Sequence, residues 1–471
     1  MNRKHFLQTL AAAPLLLPSA APAAPKKRVI VVGGGLTGLI AARELEKRGI
    51  DTVLIEAADR LGGRVATAHY GHGLQAEYGM QEIWEKSPLL GIVKELGLKT
   101  ESGDDPYSSL LINDRLYPFV QDTREQYFST LFTPPEREQF RAVITEMEGL
   151  YTEATRQGLT DRTRPLQEIS YADWLEKKKL PTNVLHALRL TIEVELAAAS
   201  EQFSALSAIL EWRTFLFKGE VNYHVEGGNW LLIQKLGASL RGPILLNARV
   251  TEVNRDPGKR AYVTYIQGNK VRTMTGDAVV MTIPWIYLHQ IQFRPALTAL
   301  QLEAIESLGR GQYTVVHMLL DRKAEKLWDI NGEAPFPVLS AGPLGVIYGP
   351  HATNTSGPNI LFSLLVYGLE AQAYHMAPRD AKRKELMDGL DKLWPGFSKH
   401  VRDAQFYTYH PAAVAYWPPG RSPLDEKSKA VRTPNAGLFL AGDWTESSHS
   451  EGAAVSALET AHAVAAFLKR P

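Results

Sequence analysis

The sequence predicts an α/β protein of two domains, each gathered from separate stretches of chain, and three observations carry that expectation. A wholly apolar run, Val29–Val32, is followed by a glycine-rich turn and a helical pattern. A second strand, turn and helix pattern lies near residue 440. At 471 residues the chain is too long for one simple domain, and 45% hydrophobic content suffices for a large buried core.

The β-branched run reads as a buried strand of a parallel sheet. Gly33-Gly34-Gly35-Leu36-Thr37-Gly38 then supplies G-x-G-x-x-G, and Leu39, Ala42 and Leu45 recur at helical spacing until Gly49 closes the helix. Gly33 permits the tight turn, Gly35 lets backbone approach a pyrophosphate, and Gly38 lets the helix pack close to the strand, with the helix N-terminus facing the phosphate charge. "DTVLIE" is a second strand, and its Glu56 follows Gly38 by 18 residues, where a carboxylate meets adenosine ribose hydroxyls. These elements make a Rossmann-type dinucleotide unit.

The fingerprint serves nicotinamide and flavin cofactors alike, because it recognises the half they share. The following "AADRLGGRVAT" is more selective: after Ala57 come Arg60, Gly62, Gly63 and Arg64, two glycines for close backbone approach and a planar, permanently charged fork for phosphate or carbonyl oxygens. The whole stretch "VVGGGLTGLIAARELEKRGIDTVLIEAADRLGGR" resembles the N-terminal signature of the flavin-containing amine oxidase superfamily. "GLFLAGDWTESSHSEGAAVSALETAHAVAAFL" resembles that family's second flavin-binding segment. There Gly442-Asp443 ends a strand at the ribityl chain, and Glu451-Gly452-Ala453 starts a helix whose dipole faces the isoalloxazine. "NARVTEVNRD" and "DAVVMTIP" look like the family's central strands, with the backbone at Val250 holding the adenine. The resemblance implies a two-domain FAD-dependent amine oxidase fold, a Rossmann-type FAD-binding domain plus an α+β substrate domain. It also places Gly79, Met80, Gln81 and Glu82 among the cofactor contacts.

The expected FAD-binding domain gathers residues 27–105, 222–288 and 406–471, and the substrate domain residues 106–221 and 289–405. "LHALRLTIEVELAAASEQFSALSAILEW" is apolar and helix-favouring, suited either to a cavity wall or to ordinary core. Net charge of +1 shows no nucleic-acid footprint. Thirteen histidines without any H-x-x-x-H argue against a metal site. Absence of cysteine excludes disulfides and a cysteine-linked flavin, so FAD is expected to be noncovalent. Residues 1–25 read as a signal peptide, with a basic start, an apolar stretch too short to span a bilayer and an A-x-A site at Ala21–Ala23. Arg3-Lys4-x-Phe6-Leu7-Gln8 resembles a twin-arginine signal with Lys4 in place of the second arginine, which leaves general secretion open as a route to the periplasm or exterior. No other long apolar stretch suggests a membrane span. The oligomeric state is not fixed by sequence, and a dimer is compatible with it.

As the resemblance implies, a neutral amine gives a hydride from its α-carbon to flavin N5, the imine hydrolyses, and electrons pass to O2 or to a quinone or small electron carrier. The chain departs from the family at three places. The aromatic sandwich beside the flavin falls at Ala413 and His449, with Tyr416 and Trp417 nearby as packing residues. The lysine near N5 falls at Gln290, with His289 adjacent. Glu82, or Gln81 one register away, stands where amino acid oxidases carry a carboxylate-binding arginine. Gln290, His289, Glu82 and His449 are therefore the candidate catalytic residues. An alternative is a FAD-dependent dehydrogenase or desaturase of a non-amine C–H substrate, favoured by Gln290 and by the aspartate of "AGDW".

Overall fold

The structure, a computed structural model, describes residues 27–71, 73–103, 108–120, 124–256, 259–350, 357–408 and 412–469. The expected signal peptide lies outside them. Five strands, Ile244–Leu245, Asp51–Ile55, Arg28–Val32, Ala278–Met281 and Leu438–Leu440, form a parallel sheet in that spatial order. Side chains of the first strand alternate between faces, as the period of a strand requires. Val29 and Val31 join a core with Leu39 and Ala42 of helix Leu36–Lys47 and Ala454 and Ala457 of helix His449–Leu468. Ile30 and Val32 join another with Val250 and Val263 of a second sheet. Covering both faces is why the strand reads as an unbroken apolar run. Each fully buried aliphatic side chain there contributes about 1.5–3 kcal/mol.

That mixed sheet orders Lys270–Gly276, Ala261–Gln267, Ala248–Asn254 and Gln292–Arg294, the first three antiparallel and the last parallel to its neighbour. Its last strand comes from the segment expected in the substrate domain, yet it pairs with Glu252–Asn254. A third sheet of seven strands runs Val401–Tyr407, Tyr313–Asp321, Asn359–Tyr367, Val346–Pro350, Val338–Ser340, Ser109–Ile112 and Arg115–Tyr117. Its first strand crosses the expected boundary at residue 405. Helices Pro134–Gln157, Thr182–Leu196 and Ala205–Glu211 share a core with Leu110 and Ile112 of this sheet. A cavity of about 680 Å³ runs from the glycine turn to the seven-stranded sheet, touching both parts. Among the described residues no helix is long and apolar enough to cross a membrane.

Candidate active site

The cavity begins at the glycine turn. Gly33 has φ +113°, a conformation side chains rarely adopt, and a Cβ on Gly38 would stand 1.9 Å from the Gly33 carbonyl oxygen. Gly38 is thus a packing glycine and does not line the cavity. Gly35 does, and a Cβ there would meet no atom within 4 Å. The space beside it is the approach that a pyrophosphate needs. Leu36, Thr37, Glu56, Ala57, Arg60, Gly63 and Val250 line the same end. Glu56 is held in place: one carboxylate oxygen accepts from Gly34 N–H at 2.5 Å and the other from Ala58 N–H at 2.7 Å. Its remaining lone pairs face the cavity as a ribose contact would require. Arg60 is committed to the loop itself, donating to the Leu61 and Gly63 carbonyls.

Arg64 differs from expectation. Its fork does not stand open for phosphate; it closes on Asp443, Nη1 to Oδ2 at 2.8 Å and Nη2 to Oδ1 at 2.6 Å, while Nη1 also reaches the Ala413 carbonyl at 2.5 Å. Asp443 is almost fully buried. The pair ties the first and last cofactor segments together, which neighbouring residues could not reveal because each half of the fork lies in a different segment. Gly442 and Gly452 do not touch the cavity, but both are sterically required. A Cβ on Gly452 would come 1.7 Å from the Ser447 carbonyl oxygen, and Gly442 adopts φ +151°. Glu451 pairs with Arg213 behind the wall, and Ala453 lines the cavity.

The family's sequence profile, "Flavin containing amine oxidoreductase", matches residues 36–466. The chain belongs to that family. It is 27% identical over 311 residues to probable polyamine oxidase 4 of Arabidopsis thaliana, a match covering 62% of this chain and 58% of that relative. It is 25% identical over 492 residues to the flavin-dependent L-tryptophan oxidase of Lentzea aerocolonigenes, covering 93% and 98%. Among solved structures, cyclohexylamine oxidase from Brevibacterium oxydans superposes with a TM-score of 0.79 at 20% identity, over 95% of this chain and 100% of that one. The fold is that of a FAD-dependent amine oxidase, and the cofactor is FAD. The glycine turn, Glu56 and the Arg64–Asp443 clasp fit it, and when bound it supplies the two-electron acceptor.

Beyond the cofactor end, Gly79, Met80, Gln81, Glu82, Gln290, Ala413 and His449 all line the cavity. Glu82 is half-buried and Gln290 exposed at the wall. His289 does not line it: its ring faces a separate apolar hollow with Leu288, Phe293 and Leu297, because the 3-10 turn Trp285–Gln290 sends successive side chains apart. Tyr416 and Trp417 are buried, and Trp417 Nε1 donates to Ser428 Oγ at 3.0 Å, so both pack rather than face a substrate.

In place of the missing sandwich the cavity carries other aromatic side chains: Tyr78, Tyr313, Tyr348 and Tyr407. Tyr78 and Tyr407 stack with centroids 4.4 Å apart and planes at 22°. A relay fixes this pair. His317 Nε2 lies 2.9 Å from the Glu77 carbonyl, which only accepts, so that nitrogen carries the proton. Burial lowers the His317 pKa to about 4 against the opposing Glu77 carbonyl, so the ring is neutral and Nδ1 accepts. Tyr70 O–H, 2.8 Å away, then donates to Nδ1, and Tyr407 O–H, 2.9 Å from Tyr70, donates to it.

A charged cluster forms the wall beside Tyr313. Helix Thr182–Leu196 presents Thr191, Val194 and Glu195 to the cavity on one stripe. Helix Ala205–Glu211 places Glu211 behind it. His449 Nε2 is 3.2 Å from Glu211 Oε1 and 3.7 Å from Glu195 Oε2, shielded from solvent and off line for a hydrogen bond to either. Burial alone would lower the His449 pKa, but the two carboxylates outweigh it and raise it. Glu195 is raised by burial and by Glu211, against His449 and Arg213. Burial would raise Glu211 too, yet His449 and Arg213 bring it below the ordinary carboxylate range. His449 takes φ +74°, a strained conformation costing about 1–3 kcal/mol that surrounding structure must hold. Three ligand-type groups thus meet although histidine spacing gave no metal motif; the Arg213 guanidinium supplies positive charge beside them.

Proposed function

We propose that this chain oxidises the C–N bond of an amine that lacks an α-carboxylate. One observation carries the reading: the cavity wall offers Glu82 and Glu195, backed by Glu211, and no lysine lines the cavity among the described residues. Of the lining arginines, Arg60 and Arg64 are held by loop carbonyls and Asp443, and Arg249 adjoins Val250 at the cofactor end. Carboxylates in a desolvated aromatic cavity attract a cation and repel a substrate carboxylate. Family relatives named for polyamine and putrescine oxidation support an amine substrate over a non-amine C–H substrate. The aromatic side chains orient the chain of the amine and exclude water, which favours the neutral nitrogen needed at the moment of hydride loss. Gln290 at the position of the family lysine favours a quinone or small electron carrier over O2 as acceptor. The N-terminal segment favours export in folded, FAD-loaded form, since cofactor binding energy goes into the fold.

Anaerobic mixing tests the reading. Amines, diamines included, should bleach the flavin absorbance, and the matching α-amino acids should do so at rates lower by at least about tenfold. Bleaching by ordinary L-amino acids at the amine rate, or by alkenes and alcohols alone, would overturn it.

A further inference from the structure

We propose that Glu195, held by His449 and Glu211, is the group that receives the arriving ammonium and takes its proton. The inference rests on the amine reading above and names the step by which this cavity prepares its substrate. Formal charges come first. Glu195, Glu211 and Glu451 are three carboxylates; Arg213 and a protonated His449 are two cations. Arg213 is engaged by Glu451, and His449 lies closer to Glu211 than to Glu195. One carboxylate is left over.

That carboxylate is Glu195. Its side chain opens onto the cavity, its one charge contact is His449 at 3.7 Å, and no hydrogen bond reaches its carboxylate oxygens among the described residues. The adjacent Tyr313 hydroxyl is spent on backbone, donating toward the Val194 and Glu195 carbonyls at 2.6 and 2.7 Å. A half-buried anion short of partners is completed by a cation that can also donate hydrogen bonds, which is what an alkylammonium is. The His449 Nε2 atom, buried without a hydrogen-bond partner, aims at the same spot.

The chemistry balances without a co-reactant. The ammonium N–H bond breaks, an O–H bond forms on the Glu195 carboxylate, and a neutral amine and a neutral acid replace two charges. In water the amine would keep the proton, but in a desolvated cavity the neutral pair avoids the burial cost of both ions. His449, raised by its carboxylate neighbours, lies nearer Glu211, leaving Glu195 as the member that exchanges. The charged groups acting on it are His449, Glu211 and Arg213, with Tyr313 beside it and Tyr348 and Glu82 around that ring. Glu195 is a catalytic residue in this scheme and His449 a positioning one.

The experiment is the pH profile of flavin reduction by a simple alkylamine, measured on holoenzyme between pH 7 and 9.5, for wild type and Glu195→Gln. An enzyme that accepts the ammonium gives a nearly flat kcat/KM over this range. One that must wait for free base rises about tenfold per pH unit until the amine pKa near 10.4. We expect wild type to be flat, and E195Q to be at least about thirtyfold slower at pH 7 and to recover steeply with pH. A steep wild-type profile, or an E195Q profile parallel to wild type, overturns the assignment. A steep wild-type curve overturns the assignment even where E195Q fails to hold flavin. No reduction of wild type by any amine at any pH is a different result, and it removes the amine reading itself.

Discussion

Arg64 and Asp443 meet as a two-pronged ion pair across 379 residues of sequence, with the carboxylate almost wholly buried. Parallel hydrogen bonds of this kind are strong and geometrically specific. Removing Arg64 leaves a buried, uncompensated carboxylate at a cost of about 3–5 kcal/mol, and removing Asp443 leaves the half-buried fork without its anion at a smaller one. Asp443→Ala is therefore expected to lower the melting temperature and weaken FAD retention together. Arg64→Lys should recover only part of the loss, because an ammonium cannot span both oxygens. Thermal melts with and without added FAD measure both effects.

Glu56→Ala should weaken FAD binding by about 1–3 kcal/mol, the cost of leaving buried hydroxyls without their charged acceptor. Titration of apoprotein followed by flavin fluorescence reads this directly, and acid or heat should release intact FAD from wild type. Flavin that stays with the denatured chain would contradict noncovalent binding.

Gln290 lines the cavity, and on the proposed reading it stands in for a lysine; a neutral amide supplies no positive charge to a developing oxygen anion. Reoxidation of reduced wild type by air should be slow, and Gln290→Lys should speed it by at least about tenfold in stopped flow. His289→Ala should change nothing, since that ring faces the neighbouring hollow. An air reaction already fast in wild type and indifferent to Gln290→Lys would refute this account.

The relay through His317 carries a pH signature. Its folded pKa, about 4, lies below the ordinary value of 6.5, so between those values the unfolded chain binds more protons and stability falls as pH drops. The full effect is of order 3 kcal/mol. Glu77 works the opposite way, since burial raises it to about 7 despite the Asn229 and Thr67 hydrogen bonds; its favourable contribution is complete below 4.5 and lost as pH rises through 7. His317→Gln removes the first effect alone. The melting temperature of the variant relative to wild type should climb steadily from pH 6.5 to 4.5. A pH-independent difference would place the proton elsewhere.

The cofactor end was legible in the sequence because its determinants are local. The turn glycines, the strand before them and Glu56 lie within thirty residues, and each has a steric or hydrogen-bonding reason to be where it is. The substrate end was not. Glu195 and Glu211 sit on two helices, and His449 reaches them from the far end of the chain, so no spacing in the sequence links the three. The usable clue was chemical: glutamates inside the apolar run "LTIEVEL" are out of place unless something needs them, because such residues are almost never buried unpaired. Glu193 proved structural, held by Arg189 and Ser200, whereas Glu195 faces the cavity. Glu77 and Glu85 likewise fall away from the site, one locked by Thr67 and Asn229, the other exposed. His289 was misplaced by adjacency, since a 3-10 turn separates neighbours that a sequence reading keeps together.

The parallel sheet draws its strands from three distant stretches of chain, with Arg28–Val32 beside Ala278–Met281 and that strand beside Leu438–Leu440. A polypeptide still growing on a ribosome therefore has no finished cleft until synthesis has passed the last of these strands and the start of helix His449–Leu468. Cofactor capture therefore waits on all three stretches. Until Leu438–Leu440 arrives, the apolar edge at Ala278–Met281 is an unpaired surface for chaperones to guard.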